Sequence, residues 1–441
     1  MAKRNKTIVP EETDQFIVGL DIGTTKIATI IGCINSSGNV TILGYGKGES
    51  KGIMFGEVNN LIKTTSSIAN SIRIAKQQAG IERIEEAVIG IAARHIKSRN
   101  KKLNIFRVNG FDNIIKQDEV NEMINMIKKS TCDPGETIIT VIPQKFTINN
   151  STDTNDPVGW VGENLEGEFQ LITGSEREIQ KIGKCTLDAG IKIKDIVLEP
   201  IASSLVCLKQ TEKQEGVLLI DIGGGTSDMA IYFEDKPVFT KVIPIGGNII
   251  TQDIATVCNI SFETAEKIKQ QCGKCIVEKS NQDHFIKFPF AGEERQISEP
   301  YLAEIIYYRV TDGILKPILY ALQESGYANR VKSIVLTGGG SRLEYIKELC
   351  QYTLGKPTRI GIPEIGFAQN IPENLKNPIF STALGLLKHG INELEKNNQS
   401  DEEEFEEEEN PKGENNIFIN GLTAIKDFCS KIMNNIGETT E

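Results

Sequence analysis

Histidine is scarce in this chain, three in 441 residues, and none of them stands beside the lone Cys-x-x-Cys, Cys272 to Cys275. Without a second pair or a nearby imidazole, that pair lacks the ligand set of a zinc site, and ordinary packed thiols are the simpler reading. The nine cysteines are odd in number and scattered, which argues for reduced thiols in a cytosol rather than a disulfide framework. Long apolar runs are missing too. No window is apolar enough, for long enough, to span a bilayer. The opening MAKRNKTIVPEETDQF is basic but lacks the apolar stretch of a signal peptide, so the chain is expected to stay in the cytoplasm. A positive balance is also absent: the formal net charge of -11 argues against a general nucleic-acid binder. Part of that acidity is local, since Asp401 to Glu409 is nearly all carboxylate.

What is present fits a globular protein with room for two or more domains, at 39% hydrophobic and 25% charged residues. Two stretches repeat. FIVGLDIGTTKIATIIG near the start and GVLLIDIGGGTSDMAIYF near the middle both read as a β-run, Asp-Ile-Gly, small residues and a second β-run. Asp21, Ile22 and Gly23 match Asp221, Ile222 and Gly223, and the repeat suggests two lobes with related cores. Glycine lets such a turn tighten and present its backbone N–H groups, and successive N–H groups form a concave site for phosphates. Thr24, Thr25, Thr226 and Ser227 add hydroxyl donors, and Lys26 adds a point charge. An Asp at the strand end can hold the water shell of a phosphate-bound Mg²⁺. One copy alone would read as a plain glycine hairpin; two copies with one core weigh against that. Neither is a P-loop or a Rossmann loop, because the chain continues as strand rather than helix. A third cluster, VKSIVLTGGGSRLEYIKELC, reads as a strand, Gly338-Gly339-Gly340, and an amphipathic helix with Ser341 as its N-cap.

Two phosphate hairpins followed by strand-GGG-helix resemble the actin-like ATPase superfamily. DIGTTKIA, VLLIDIGGGTSDMAIY, VIPIGGNIITQDIA, IVLTGGGSRL and NPIFSTALGLLKHG are similar to the FtsA family of bacterial cell-division proteins, and AGIKIKDIVLEPIASSLVCL resembles its interlobe helix. The resemblance covers roughly residues 16 to 390 and the tail pattern. One local departure is Asn149-Asn150, where the family tends to have Asp-Gly. The fold this implies is α/β: an actin-like two-lobed ATPase fold with a small inserted α/β subdomain, a disordered acidic linker and a C-terminal amphipathic helix. The expected segments are a flexible start at 1–15, lobe I at 16–84, the insert at 85–166, and the rest of lobe I with the interlobe helix at 167–212. Lobe II follows as a core at 213–250, a nucleotide and partner subdomain at 251–330, and a core returning to lobe I at 331–392. The linker takes 393–416 and the membrane-targeting helix 417–436.

The resemblance implies ATP and Mg²⁺ as cofactors. Asp21 and Asp221 would arrange Mg²⁺ and water. Gly23, Thr24, Thr25 and Lys26 would bind one side of the phosphates, and Gly223, Gly224, Gly225 and Thr226 the other. Gly338, Gly339 and Gly340 would face the nucleoside. Glu266 and Lys269, three apart on one helical face, match positions that contact ribose and base; a solvated helix face is the alternative. Glu199 is a candidate to position water, or else a capping or interlobe carboxylate. Turnover is expected to be slow at most. ERQISEPYLAEIIYYRVTDGILKPIL reads as a helix with Leu302, Ile305, Ile306 and Val310 on its apolar side. By resemblance Arg309 on that helix would receive the acidic C-terminal peptide of FtsZ, the tubulin-like division protein; an ordinary salt bridge is the other reading.

In the tail, Phe418, Leu422, Ile425, Cys429, Ile432 and Ile436 recur at helical steps, widened by Ile417, Phe428 and Met433. Such a helix is too short and polar to span a bilayer, and either docks on the body or lies in a membrane interface. The resemblance favours inner-membrane lipid, on the cytoplasmic face at the division site, with self-association into filaments or oligomers. Two readings from other classes share parts of the pattern: a sugar- or acetate-kinase-like phosphotransferase of the same fold, and a pilus-assembly actin-like adaptor.

Overall fold

The computed structural model describes residues 15–34, 40–106, 113–290, 292–367 and 371–409, with side chains as far as residue 395. The expected flexible start, apart from Gln15, and the helix at 417–436 with its apolar stripe lie outside the described residues.

Two five-stranded sheets are built to one plan. In the first lobe, Gln15–Ile22, Lys26–Ile34 and Val40–Glu49 form an antiparallel meander, and Glu86–Ile91 and Lys192–Leu198 extend it in parallel beside the first strand. In the second lobe, Val217–Ile222, Ser227–Phe233 and Lys236–Ile243 form the meander, and Ser333–Thr337 and Thr358–Ile360 extend it the same way. The sequence repeat is therefore a repeat of whole sheets. Both first strands are buried nearly throughout, as near-continuous apolar runs covered on both faces require.

The insert is a separate four-stranded antiparallel sheet of Lys97–Phe106, Asn164–Ser175, Glu136–Ile148 and Thr152–Thr154, with the helix Gln117–Lys128 packed on it. Met123, Ile127, Leu165 and Phe169 are at most 1% exposed and form its own core with Phe146. Sheet membership shifts the boundaries expected at 85 and 166. Residues 86–91 pair with the first-lobe strands, and the strand ending at Ser175 pairs only within the insert. Asn149 and Asn150 both have positive φ, 50° and 56°, in the turn between Ile148 and Ser151. Asparagine tolerates that conformation, so Asn-Asn closes a hairpin where Asp-Gly would serve.

Two helices join the lobes. Glu199–Cys207 follows directly from the strand Lys192–Leu198, and Ser381–Glu409 returns from the second lobe to lie on the first-lobe sheet. Ala383, Leu384, Leu387 and Ile391 are fully buried in a cluster shared by both lobes, and Leu386 is fully buried against Val88, Val197 and Ala202. Gly385 allows the helices to cross closely, since a Cβ there would lie 2.0 Å from the Ala202 carbonyl oxygen. The returning helix continues past residue 392, where the linker was expected to begin, and reaches Glu409. Glutamate is a good helix former, and Pro411 is the first Gly or Pro after Gly390.

Two local readings are corrected. Ser341 caps no α-helix: Gly339–Arg342 is a 3₁₀ turn, Ser341 Oγ donates to the Gly338 carbonyl at 2.8 Å, and the helix starts at Ile346. The partner helix begins only at Glu299, where Pro300 fits the first turn. The residues before it, Glu293–Ser298, are a strand paired with Phe285–Phe290, which buries Ile297 opposite Ile286.

Candidate functional site

The two Asp-Ile-Gly turns are built alike and meet tip to tip. Gly23 N–H donates to the Lys26 carbonyl at 3.1 Å, and Gly223 N–H to the Thr226 carbonyl at 2.9 Å. A Cβ on Gly224 would lie 1.8 Å from Thr25 Oγ1, and one on Gly225 would lie 2.5 Å from Thr24 Oγ1, so only glycine permits this approach. The segment after the second meander clasps the second tip, with Gly247 and Asn248 N–H donating to the Gly223 and Gly224 carbonyls at 2.8 Å each. The third turn closes over the same place. Gly338 has φ +80°, and a Cβ there would fall 2.2 Å from Asp221 Oδ1. Gly340 rests on Ile222, whereas Gly339 is exposed, with no atom nearer than Ile379 Cγ2 at 4.0 Å from its would-be Cβ. The structure thus brings together all three glycine clusters read from the sequence.

Beneath the tips the site is crowded with carboxylates. Asp21, Asp221 and Asp228 are 2%, 5% and 2% exposed. Lys26 Nζ pairs with Asp21. Asp221 Oδ2 accepts from Ser203 Oγ at 2.7 Å and from Thr382 Oγ1 at 3.2 Å, which ties it to both interlobe helices. Burial pushes the Asp221 carboxyl up to about 6, reinforced by Asp21 and opposed by the Ser203 hydroxyl, Lys26 and the Thr382 hydroxyl. The Glu199 carboxyl, at the start of the first interlobe helix, lies well above the ordinary carboxylate range. Burial is the main cause, followed by the charges of Asp21, Asp228 and Asp221. Although Glu199 as a residue keeps some solvent contact, its carboxyl end is enclosed.

Asp228 was missed in the sequence. It stands directly opposite Asp221 in the hairpin register, and burial, then Asp221, hold its carboxyl well above the ordinary range. Thr226 Oγ1 donates to its Oδ2 at 3.0 Å, while the buried Oδ1 has no partner. The signal was available: a four-residue turn after Ile222 aligns the two aspartates, and like charges directly opposite are unfavourable without a compensating group.

Further out, Glu266 and Lys269 pair at 2.7 Å on the helix Phe262–Cys272. Lys269 is buried and donates to the Gly247 carbonyl at 3.0 Å and to Thr251 Oγ1 at 2.7 Å, so it braces the segment behind the second tip rather than forming a solvated face. Arg309 opens a wide helical segment, Arg309–Leu315, and grips Asp253 with both Nε and Nη2. It is held by this pair. Leu302, Ile306 and Val310 are fully buried as expected, and Ile305 partly so.

The site offers backbone N–H groups, hydroxyls and Lys26 around buried carboxylates from both lobes, a set suited to a polyanion together with a hard cation. Among the described residues no three carboxylate, histidine or cysteine side chains could hold a metal ion by themselves. A Mg²⁺ therefore fits only with oxygens supplied by a ligand and by water, for which the partnerless Asp228 oxygen and the facing aspartates leave demand. No helix among the described residues is long and apolar enough to cross a membrane.

Comparison with known proteins agrees with this architecture. The family described as cell division protein FtsA matches residues 218–385, and the SHS2 domain inserted in FtsA matches residues 93–173, in line with the sheet boundaries of the insert. The cell division protein FtsA of Pseudomonas aeruginosa is 33% identical over 86% of this chain and 90% of its own length. That of Escherichia coli K12 is 30% identical over 85% and 90%. Among solved structures, the PilM-PilN type IV pilus biogenesis complex has a TM-score of 0.62 at 17% identity, covering 85% of this chain and 98% of the matched one. MreB 5 of Spiroplasma citri bound to AMPPNP has a TM-score of 0.50 at 14% identity, covering 90% and 100%. These distant likenesses show the shared two-lobed, actin-like fold alone, whereas the FtsA relatives share sequence along most of their length. The chain belongs to the FtsA family of cell-division proteins.

Proposed function

We propose that the chain binds ATP with Mg²⁺ between its two hairpins and assembles on the cytoplasmic face of the inner membrane at the division site. There it tethers FtsZ filaments and recruits later division proteins. The observation that carries the nucleotide reading is the meeting of two like-built Asp-Ile-Gly turns beneath a third glycine turn, in a chain of this family. Gly23 to Lys26 and Gly223 to Thr226 would take the phosphates from either side. The exposed Gly339, between Gly338 and Gly340, would face the nucleoside, with Glu266 and Lys269 at its far end. Asp21 and Asp221 would hold the Mg²⁺ shell. When bound, that ion would offset the charge of the phosphates and carboxylates alike. A Cβ on Gly224 would already overlap Thr25, so phosphates entering between the tips would have to part them, which would couple binding to the interlobe angle. Hydrolysis is expected to be slow. Burial and the neighbouring aspartates hold the Glu199 and Asp228 carboxyls well above the ordinary range, so an ionised base that could take a proton from water is costly to form here.

Membrane attachment would fall to Phe418, Leu422, Ile425, Phe428, Ile432, Met433 and Ile436. Two lysines and one aspartate along this stretch give little electrostatic pull, and Gly421 costs roughly 1 kcal/mol of helicity relative to alanine. A single copy would therefore bind weakly, and assembly of several protomers would multiply the grip. The test is co-sedimentation with liposomes. The full chain should carry FtsZ into the pellet, more with ATP than without, and deletion of residues 417–441 should leave both in the supernatant. Pelleting that survives the deletion would overturn the membrane reading.

A further inference from the structure

We propose that Lys47 and Arg342, one from each lobe, grip the phosphate chain of the bound nucleotide across the cleft and so favour ATP over ADP. This rests on the nucleotide reading above. In the first-lobe sheet Asp21 stands opposite Ala28, and Ala28 opposite Lys47, so the three form one row across three strands. Strand alternation puts that row on the same face as Gly19 and Gly32, where the returning helix packs: a Cβ on Gly19 would lie 2.5 Å from the Ala383 carbonyl oxygen, and one on Gly32 2.9 Å from Leu387 Cδ1. That face is turned toward the second lobe. Ala28 is small and fully buried, which leaves the long Lys47 side chain room to lean toward Asp21 and Lys26.

Arg342 comes to the same rim from the other side. It ends the Gly339–Arg342 turn, whose Gly340 rests on Ile222 of the second hairpin. The turn borders Pro378–Phe380 through Gly339 and Ile379, and the Phe380 ring meets Tyr45, two residues from Lys47, edge-on at 6.0 Å. The charges of Lys26 and Arg342, after burial, hold the Lys47 ammonium below the ordinary lysine range, as three cations sharing one rim would. Lys26 has Asp21 as its partner. Lys47 and Arg342 have no carboxylate partner among the described residues, and both side chains keep solvent contact. Like charges gathered from two lobes without counter-charge repel one another. A polyanion between them removes that repulsion, and the more charge it carries, the more the two lobes gain by closing on it.

Calorimetric titration of the full chain with ATP, ADP and AMP in excess Mg²⁺ tests this. Lys47→Ala and Arg342→Ala should each weaken ATP by about tenfold, the scale of a charge-assisted contact. ADP should lose less and AMP almost nothing, while melting temperatures without nucleotide hold or rise slightly, because each change removes a like-charge repulsion. Lys47→Arg and Arg342→Lys should recover most of the loss. If the double alanine variant binds ATP like the parent while Lys26→Ala loses it, the two residues are ordinary surface cations and the proposal fails, with the nucleotide reading intact. Equal losses for ATP and AMP would also overturn it. If the parent chain binds none of the three, the nucleotide reading itself fails.

Discussion

Asp221→Asn should make the protein more stable and less able to bind nucleotide. Asp221 is buried, and its carboxyl is raised from 3.8 to about 6, chiefly by that burial. In free energy that rise is ~3 kcal/mol against the ionised form. Below about pH 4 folded and unfolded chains both hold the proton, and nothing is lost. Between about 4 and 6 the unfolded chain releases its proton first, so stability falls as pH rises; above 6 the full cost stands. Asparagine has a neutral side chain of nearly the same shape. Its carbonyl can still accept from Ser203 and Thr382, which bond Oδ2 in the parent. Losing the charge also relieves Asp228 and Glu199, both of which Asp221 pushes upward. Thermal melts should therefore show the variant above the parent by about 2–4 °C at pH 7.5, with the gap closing toward pH 4. Affinity for ATP in Mg²⁺ should drop at the same time. A variant that melts at or below the parent at pH 7.5, or a gap that ignores pH, would refute the reasoning.

Three further outcomes follow from close contacts. Gly385→Val drives a side chain onto the Ala202 carbonyl, 2.0 Å from the first added atom, and should cost about 3 kcal/mol or more in denaturant titration, because backbone faces backbone. Gly224→Ala collides with Thr25 and should cost about 1–3 kcal/mol in the free protein; the loss should shrink under saturating ATP and Mg²⁺ if nucleotide already parts the tips. Arg309→Glu breaks the two-pronged pair with Asp253 and should weaken binding of an FtsZ tail peptide in fluorescence anisotropy. The swap Asp253→Arg with Arg309→Asp would rebuild the pair without restoring the peptide site, and unchanged affinity in Arg309→Glu would remove the residue from that site.

The sequence made the paired turns legible because their demands are local: a glycine where backbones approach, an aspartate at a strand end. The repeat extended further than the motif, to the strand order of both sheets, since like cores impose like coverage. Boundaries were less legible. Residues 86–91 are as apolar as an insert strand would be, and only their parallel pairing with Gln15–Ile22 assigns them to lobe I. Ser341 has the residue type of a helix cap but spends its hydroxyl on Gly338 in a tighter turn. For Lys269 the spacing leaves a solvated helix face open beside a nucleoside contact, yet the packing of two helices buries it. Lys47 and Arg342 carry no local signal at all, because what places them together is the juxtaposition of two lobes nearly three hundred residues apart in sequence. The family assignment settled what motif spacing left open between a kinase, a pilus adaptor and a division protein.

Hydrogen exchange of the full chain with and without ATP and Mg²⁺ tests the nucleotide site most directly. Protection should rise together at residues 22–27, 222–228 and 338–342, one segment from the first lobe and two from the second. Protection confined to one lobe, or none at these three turns, would contradict a nucleotide held between the paired hairpins.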